Sequence, residues 1–259
     1  MATLKAQLLH WSSLRFVLRH HFGYRSRILW NILYPIRSDV SFGLWGLDLQ
    51  ILKIVGKKKG FYIELGAHNG FTQSNTLRLE LFHGWRGLLI EPVSSSYSDC
   101  LKNRSLRRNA IVRAACVSDS YERETVDLSL SNKDMFSKLW ASPLNVETTI
   151  ADPLRHGQQY RDDISDGDDY VIEVAPARTL TSVLDEVGAP KRIQLLSLDV
   201  EGGELEVLKG LDFSTYSIDW LVVETRNLDA VVKLLASSGY LFHSALTHWD
   251  YVFRGPIGD

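Results

Sequence analysis

A chain of 259 residues is long enough for one α/β domain with an extension and a sizeable core. With 45% hydrophobic and 23% charged residues, a net charge of −2 and no run of eighteen apolar residues, it excludes a membrane-spanning helix and a strongly basic nucleic-acid binder. Its two cysteines, Cys100 and Cys116, exclude a disulfide framework, no Cys/His spacing is that of a zinc site, and a reducing cytoplasm is the expected setting.

Residues 1 to 37 hold six cations and no acid, so the remainder carries a net −8, the difference between −2 for the chain and +6 for the segment. Leu4, Leu8, Trp11, Leu14, Leu18 and Phe22 recur at helical spacing above this basic side. The pattern fits a helical cap on the main domain, or an interfacial helix through which residues 1–30 touch anionic lipid peripherally. Charges interrupt every apolar stretch, so it does not read as a secretory signal. Residues 1–55 form an N-terminal basic helical extension, closed by a short helix over Trp45 to Val55, and residues 56–259 form the main domain.

FYIELGAHNG at 61 to 70 reads as a buried strand ending in Glu64, a glycine turn and then a helix through SNTLRLELF that stops at His83-Gly84. Gly66 and Gly70 let the backbone turn where a side chain would block a ligand, which makes Gly66, Ala67, Asn69 and Gly70 candidate cofactor contacts. A second strand, GLLIEP, delivers Glu91 and Pro92 twenty-one residues beyond Gly70. An acid there can accept from both ribose hydroxyls of an adenosine cofactor. A dinucleotide site would show G-x-G-x-x-G and a helix N-terminus free for pyrophosphate, which Glu64 would repel. Glu64 instead suits the cationic methionine end of S-adenosylmethionine, directly or through backbone it orders. After a helix over SDCLKNR, AIVRAACVSD reads as a third strand, with Asp119 either the partner of the adenine amino group or a turn-forming Asp.

Val126 to Leu130 and Tyr170 to Val174 alternate like paired strands, and residues 131–170 between them carry eight acids and four Lys/Arg. A connection of that length reads as a lid or substrate-recognition insert. Trp140 and Tyr160 could stack on a sugar ring or pack within the insert, and SDGDD at 165 to 169 reads as a solvated turn. The α/β rhythm resumes with the helix TLTSVLDEVG, the strand and helix IQLLSLDVEGGELEVLKGL, the strand DWLVVETR, and a terminal hairpin from GYLFHSAL and HWDYVFRG. If the fourth strand neighbours the first, two of Asp199, Glu201 and Glu204 stand beside the Glu64 crevice at the topological switch point, and the fifth strand brings Glu224 to the same edge.

These motifs resemble those of the class I S-adenosylmethionine-dependent methyltransferases of the FkbM type. The resemblance rests on IELGAHNG at 63 to 70, SNTLRLE and GWRGLLIEP within 74 to 92, RTLTSVLDEVG at 178 to 188, LLSLDVEGGELEVLKG at 195 to 210 and LVVETR at 221 to 226. It implies an α/β, doubly wound, Rossmann-like fold: a mostly parallel seven-stranded sheet, helices on both faces and one strand turned antiparallel by the last hairpin. It also implies S-adenosyl-L-methionine as cofactor and O-methylation of a sugar, glycan or secondary-metabolite hydroxyl.

A sulfonium methyl is already activated, so the protein must align donor and acceptor, exclude water and deal with the hydroxyl proton. Asp199 is the first candidate base and His68 the second, while Asp199 could instead cap the next helix. Asp199, Glu201 and Glu224 could alternatively hold Mg²⁺ or Mn²⁺. His243 and His248 read as loop or surface residues. A nucleic-acid methyltransferase is disfavoured by the acidic body and by Asp-Val-Glu-Gly where N/D-P-P-aromatic would stand. A non-catalytic binding module and a nicotinamide enzyme are the other classes.

Overall fold

A computed structural model describes residues 41–131, 140–141 and 170–256. The amphipathic stretch at 1–37, Tyr160, the SDGDD run and most of the 131–170 insert lie outside the described residues.

A one-turn helix at Leu44–Gly46 leads into α1 (Leu47–Val55). Then follow β1 (Phe61–Leu65), α2 (Leu77–His83), β2 (Arg86–Ile90), α3 (Ser94–Asn103), β3 (Asn109–Val112), β4 (Ala115–Val117), β5 (Thr125–Ser131), β6 (Trp140–Ala141) and β7 (Tyr170–Thr179). The rest is α4 (Leu180–Glu186), β8 (Arg192–Leu198), α5 (Glu204–Lys209), β9 (Ser217–Glu224), α6 (Leu228–Ser237), β10 (Leu241–Ala245) and β11 (Asp250–Arg254).

Seven strands form the main sheet in the order β10-β11-β9-β8-β1-β2-β3. All run parallel except β11, which lies antiparallel between β9 and β10. The strands are apolar on both sides because both faces are covered. On one face Ile63, Leu88, Leu196 and Leu221 pack under α4, α5 and α6. On the other Tyr62, Leu89, Leu195, Val222 and Val252 pack under Leu47 and Ile51 of α1 and Leu79 of α2. Helices on both faces and a single reversed strand make this the class I methyltransferase fold. The hairpin and the adjacency of β8 and β1 stand as expected.

Two expectations need correction. The helix after the glycine turn begins only at Leu77, because Glu64 holds the Asn75 amide at 2.8 Å and the Ser74 and Thr76 hydroxyls at 3.0 and 2.5 Å. Ser74 in turn accepts from the Leu77 amide at 3.0 Å, which starts the helix there. The expected third strand breaks at Arg113–Ala114. Its second half, β4, leaves the main sheet and pairs in parallel with Ala177–Thr179 of β7. β7, β5 and β6 complete a second sheet, in which Val126 pairs with Ala175 and Leu130 with Val171, as the alternation of those segments implies. Arg113 ties the two sheets together by donating to the Pro92 carbonyl at 3.1 Å, the Val174 carbonyl at 2.7 Å and the Glu173 carboxylate at 2.9 Å.

Candidate active site

The site follows from strand register. Leu65 lies beside Ile90 and Leu198, Ile90 beside Val112, Leu198 beside Val223, and Glu224 beside Asp250. One residue further the ladder continues: the Gly66 amide donates to Ile90 at 3.1 Å, that of Asp199 to Leu65 at 3.3 Å and that of Glu91 to Val112 at 3.1 Å. Glu91, Gly66, Asp199, Glu224 and Asp250 therefore stand in one lateral row at the carboxyl edge. In parallel strands such neighbours share a face, and this edge is where open α/β sheets bind ligands.

Gly66 divides the row. Its φ of +73° suits glycine, and a Cβ there would sit 1.7 Å from the Asp199 carbonyl oxygen. Gly70, at φ +70°, would place a Cβ 2.7 Å from Arg104 Cγ and from Cys100 Sγ. Both glycines thus make room for the protein's own packing, a different reason from the ligand clearance that the sequence suggests. Between them Ala67 is buried, His68 takes a left-handed φ of 47°, and Asn69 closes the turn by accepting from the Phe71 and Thr72 amides at 3.0 and 2.8 Å.

On one side of Gly66 stands the buried Glu91 carboxylate. It accepts from the His68 amide at 2.7 Å and the Val93 amide at 2.9 Å. Burial pushes its pKa up to about 7, against the pull of those two amides. Each oxygen keeps a further lone pair, enough for two vicinal hydroxyls. Pro92 belongs to the same turn through its contact with Arg113.

On the other side Asp199 and Glu224, both half-buried, stand at adjacent register positions of β8 and β9, near enough for each to act on the other's charge. Burial, then the charges of Glu224 and Glu201, raise the Asp199 pKa well above the carboxylate range. Glu224 is pushed to about 7 by burial and by Asp250 and Glu201. Asp250 accepts from the Thr247 hydroxyl. Glu204 rather than Asp199 closes the start of α5, by accepting from the Gly202 amide at 2.7 Å.

Glu64 is not open to a ligand. Besides Ser74, Asn75 and Thr76, its carboxylate takes Arg104 Nη1 at 3.2 Å. Its contribution to a cofactor site runs through the backbone of 70–77, which it orders. Arg104 is the residue that sequence reasoning missed. Fully buried, it also donates to Glu80 at 2.5 Å, the Tyr62 hydroxyl at 2.6 Å, Thr76 at 3.0 Å, Ser74 at 3.1 Å and the Gly70 carbonyl at 3.2 Å. Nothing local in RSLRR distinguishes it from Arg107 and Arg108.

Two expectations about side chains change. Asp119 sits exposed in the turn after β4. The break at Arg113 removes it from the main-sheet edge, so the adenine role drops out. Among the described residues no three His, Cys, Asp or Glu side chains are placed to hold a metal ion. Asp199 and Glu224 are engaged with each other and Glu201 lies exposed on a left-handed turn, so their Mg²⁺ or Mn²⁺ alternative is not supported. His68 offers its amide to Glu91, which puts its main chain on the Glu91 side, while burial lowers its imidazole pKa.

Among the described residues no helix is long and apolar enough to cross a membrane. Solved structures with low likeness include a methyltransferase FkbM from Methylobacillus flagellatus KT, at 14% identity and TM-score 0.42, covering 76% of this chain and 44% of that one. A precorrin-6y C5,15-methyltransferase from Geobacter metallireducens GS-15 has 12% identity and TM-score 0.41, over 86% and 97% of the two chains. The N-terminal domain of human METTL16 in complex with SAH has 12% identity and TM-score 0.42, over 86% and 75%. The chain thus spans less than half of the first of these structures, and no curated protein matches it. The sequence model of the methyltransferase FkbM domain matches residues 64–242, from Glu64 in β1 to the start of the terminal hairpin, and the chain belongs to that family.

Proposed function

We propose that the protein is an S-adenosylmethionine-dependent O-methyltransferase acting on a hydroxyl of a sugar, glycan or secondary metabolite. The observation that carries this is the row of acids divided by Gly66, with a ribose-type acceptor, Glu91, on one side and a proton-accepting pair led by Asp199 on the other. When bound, the cofactor supplies a methyl group already activated as a sulfonium. Glu91 would hold the ribose hydroxyls, the turn from Gly66 to Gly70 would carry the methionine end, and Asp199 would take the acceptor proton.

Two substitutions test this. Glu91→Ala should weaken S-adenosylhomocysteine binding by about 1.5 to 3 kcal/mol in calorimetry, the range for charge-assisted hydrogen bonds. Unchanged affinity, or tighter binding of NAD, would remove the assignment. Asp199→Asn keeps the shape and removes the charge. With the acceptor in hand it should keep S-adenosylmethionine affinity within a few-fold and lose about 10²- to 10⁴-fold in turnover. Near-normal turnover would move the base to His68, and cofactor binding without transfer to any hydroxyl acceptor would favour a binding module.

A further inference from the structure

We propose that Asp199 and Glu224 act as one carboxyl–carboxylate pair that holds a single shared proton in the ligand-free protein and releases it when a cationic cofactor occupies the glycine turn, so that the pair's charge follows the charge at sulfur. The inference rests on the cofactor assigned above and deepens it. It also answers a difficulty with that assignment, since a carboxyl that already holds a proton cannot accept one.

The geometry is that of the row. Leu198 lies beside Val223, which puts Asp199 next to Glu224, and Glu224 lies directly beside Asp250 on the antiparallel β11. Three acids on three adjacent strands therefore stand at one level. Among the described residues, the largest charges acting on the pair are those of Glu201 from the turn after β8, Glu204 from α5 and Asp250 from β11. Arg226, two residues beyond Glu224, lies over the Trp249 ring at 4.6 Å. Neighbouring carboxyls in a half-buried edge do not both ionise near neutrality, and the first proton belongs to the pair. Burial raises both members above the usual carboxylate range, and the resting proton belongs to the pair.

Asp199 is also the member of the pair that touches the glycine turn. Its amide bonds Leu65, and its carbonyl fills the space where a Gly66 Cβ would lie. A cation carried by that turn stabilises the fully ionised pair, and one proton leaves to solvent. The pair then takes up the acceptor hydroxyl's proton, as that oxygen bonds the methyl carbon and the carbon–sulfur electron pair returns to sulfur. It ends as it began, holding one proton beside a neutral sulfur.

S-adenosylmethionine and S-adenosylhomocysteine differ by one methyl group and its positive charge; because that charge also lowers the pKa of the ligand's own amino group, the amino-group contribution is fixed by titrating each free ligand and subtracted. Calorimetry of the full chain with each compound, near pH 7 in two buffers of different ionisation enthalpy, reads the difference. S-adenosylmethionine should release more protons, by up to about one. Its affinity relative to S-adenosylhomocysteine should rise as pH increases through 7, by up to about tenfold per pH unit, the slope for one linked proton. Glu224→Gln should keep S-adenosylhomocysteine affinity and abolish the difference; the wild-type comparison decides alone if that variant does not fold. Equal proton release by both compounds overturns the shared-proton pair and leaves the cofactor assignment intact. Binding of neither compound removes both.

Discussion

Replacing Arg104 by methionine is expected to destabilise the protein by about 3 to 5 kcal/mol, measured by urea denaturation at pH 7, the range for removing one partner of a buried ion pair. The guanidinium contacts two buried carboxylates, at 3.2 Å from Glu64 and 2.5 Å from Glu80. It also holds the Tyr62, Ser74 and Thr76 hydroxyls and the Gly70 carbonyl. Methionine fills much of the volume but leaves both carboxylates without a counter-charge and several polar atoms without a donor. The loop from Gly70 to Thr76 loses its anchor together with the core, so cofactor affinity should fall with stability. A cost below about 1 kcal/mol would show that Glu64 and Glu80 find other partners, contrary to this account.

Gly66→Ala is expected to cost more than about 4 kcal/mol, at the exceptional end for one substitution, or to abolish soluble expression. A methyl group would stand 1.7 Å from the Asp199 carbonyl oxygen, which is backbone at the junction of β1 and β8 and cannot rotate away. Gly202 provides the contrast: it also has positive φ, at +107°, but a Cβ there meets nothing within 4 Å. Gly202→Ala should therefore cost only the backbone strain, about 1 to 2 kcal/mol. If the two substitutions cost the same in denaturant titrations, dihedral strain and not the clash sets the requirement for glycine at 66.

Element types and their order were legible in the sequence where hydrophobic period and end signals agree. IELG, GLLIE, LLSLD and LVVE are short apolar runs, each ending in an acid or a glycine, and each is a central strand whose end lies at the carboxyl edge. Gly84 ends α2 in a left-handed conformation at φ +69°, as His83-Gly84 implies. The helix N-terminus after Gly70 and the continuity of the third strand were not legible. Both depend on long-range partners: Glu64 captures the residues that would have begun α2, and β7, more than 50 residues on, takes Ala115–Val117 away from the main sheet.

Local pattern determined that Glu91, Asp199 and Glu224 reach the edge, because a strand of known direction places its last residue there; Glu64, one residue short of the end of β1, stays inside the sheet between Leu89 and Ser197. Only the tertiary structure decided what each acid does, since that depends on which strands lie side by side and on what is buried with them. Glu64 and Glu91 look alike in sequence, each closing an apolar strand; Arg104 neutralises the first inside the core, while two amides and burial leave the second able to accept more hydrogen bonds at the rim. Asp199, Glu224 and Asp250 are separated by up to 51 positions along the chain. They come together because β8, β9 and β11 are adjacent, and a carboxyl's charge state is set by the charges beside it in space.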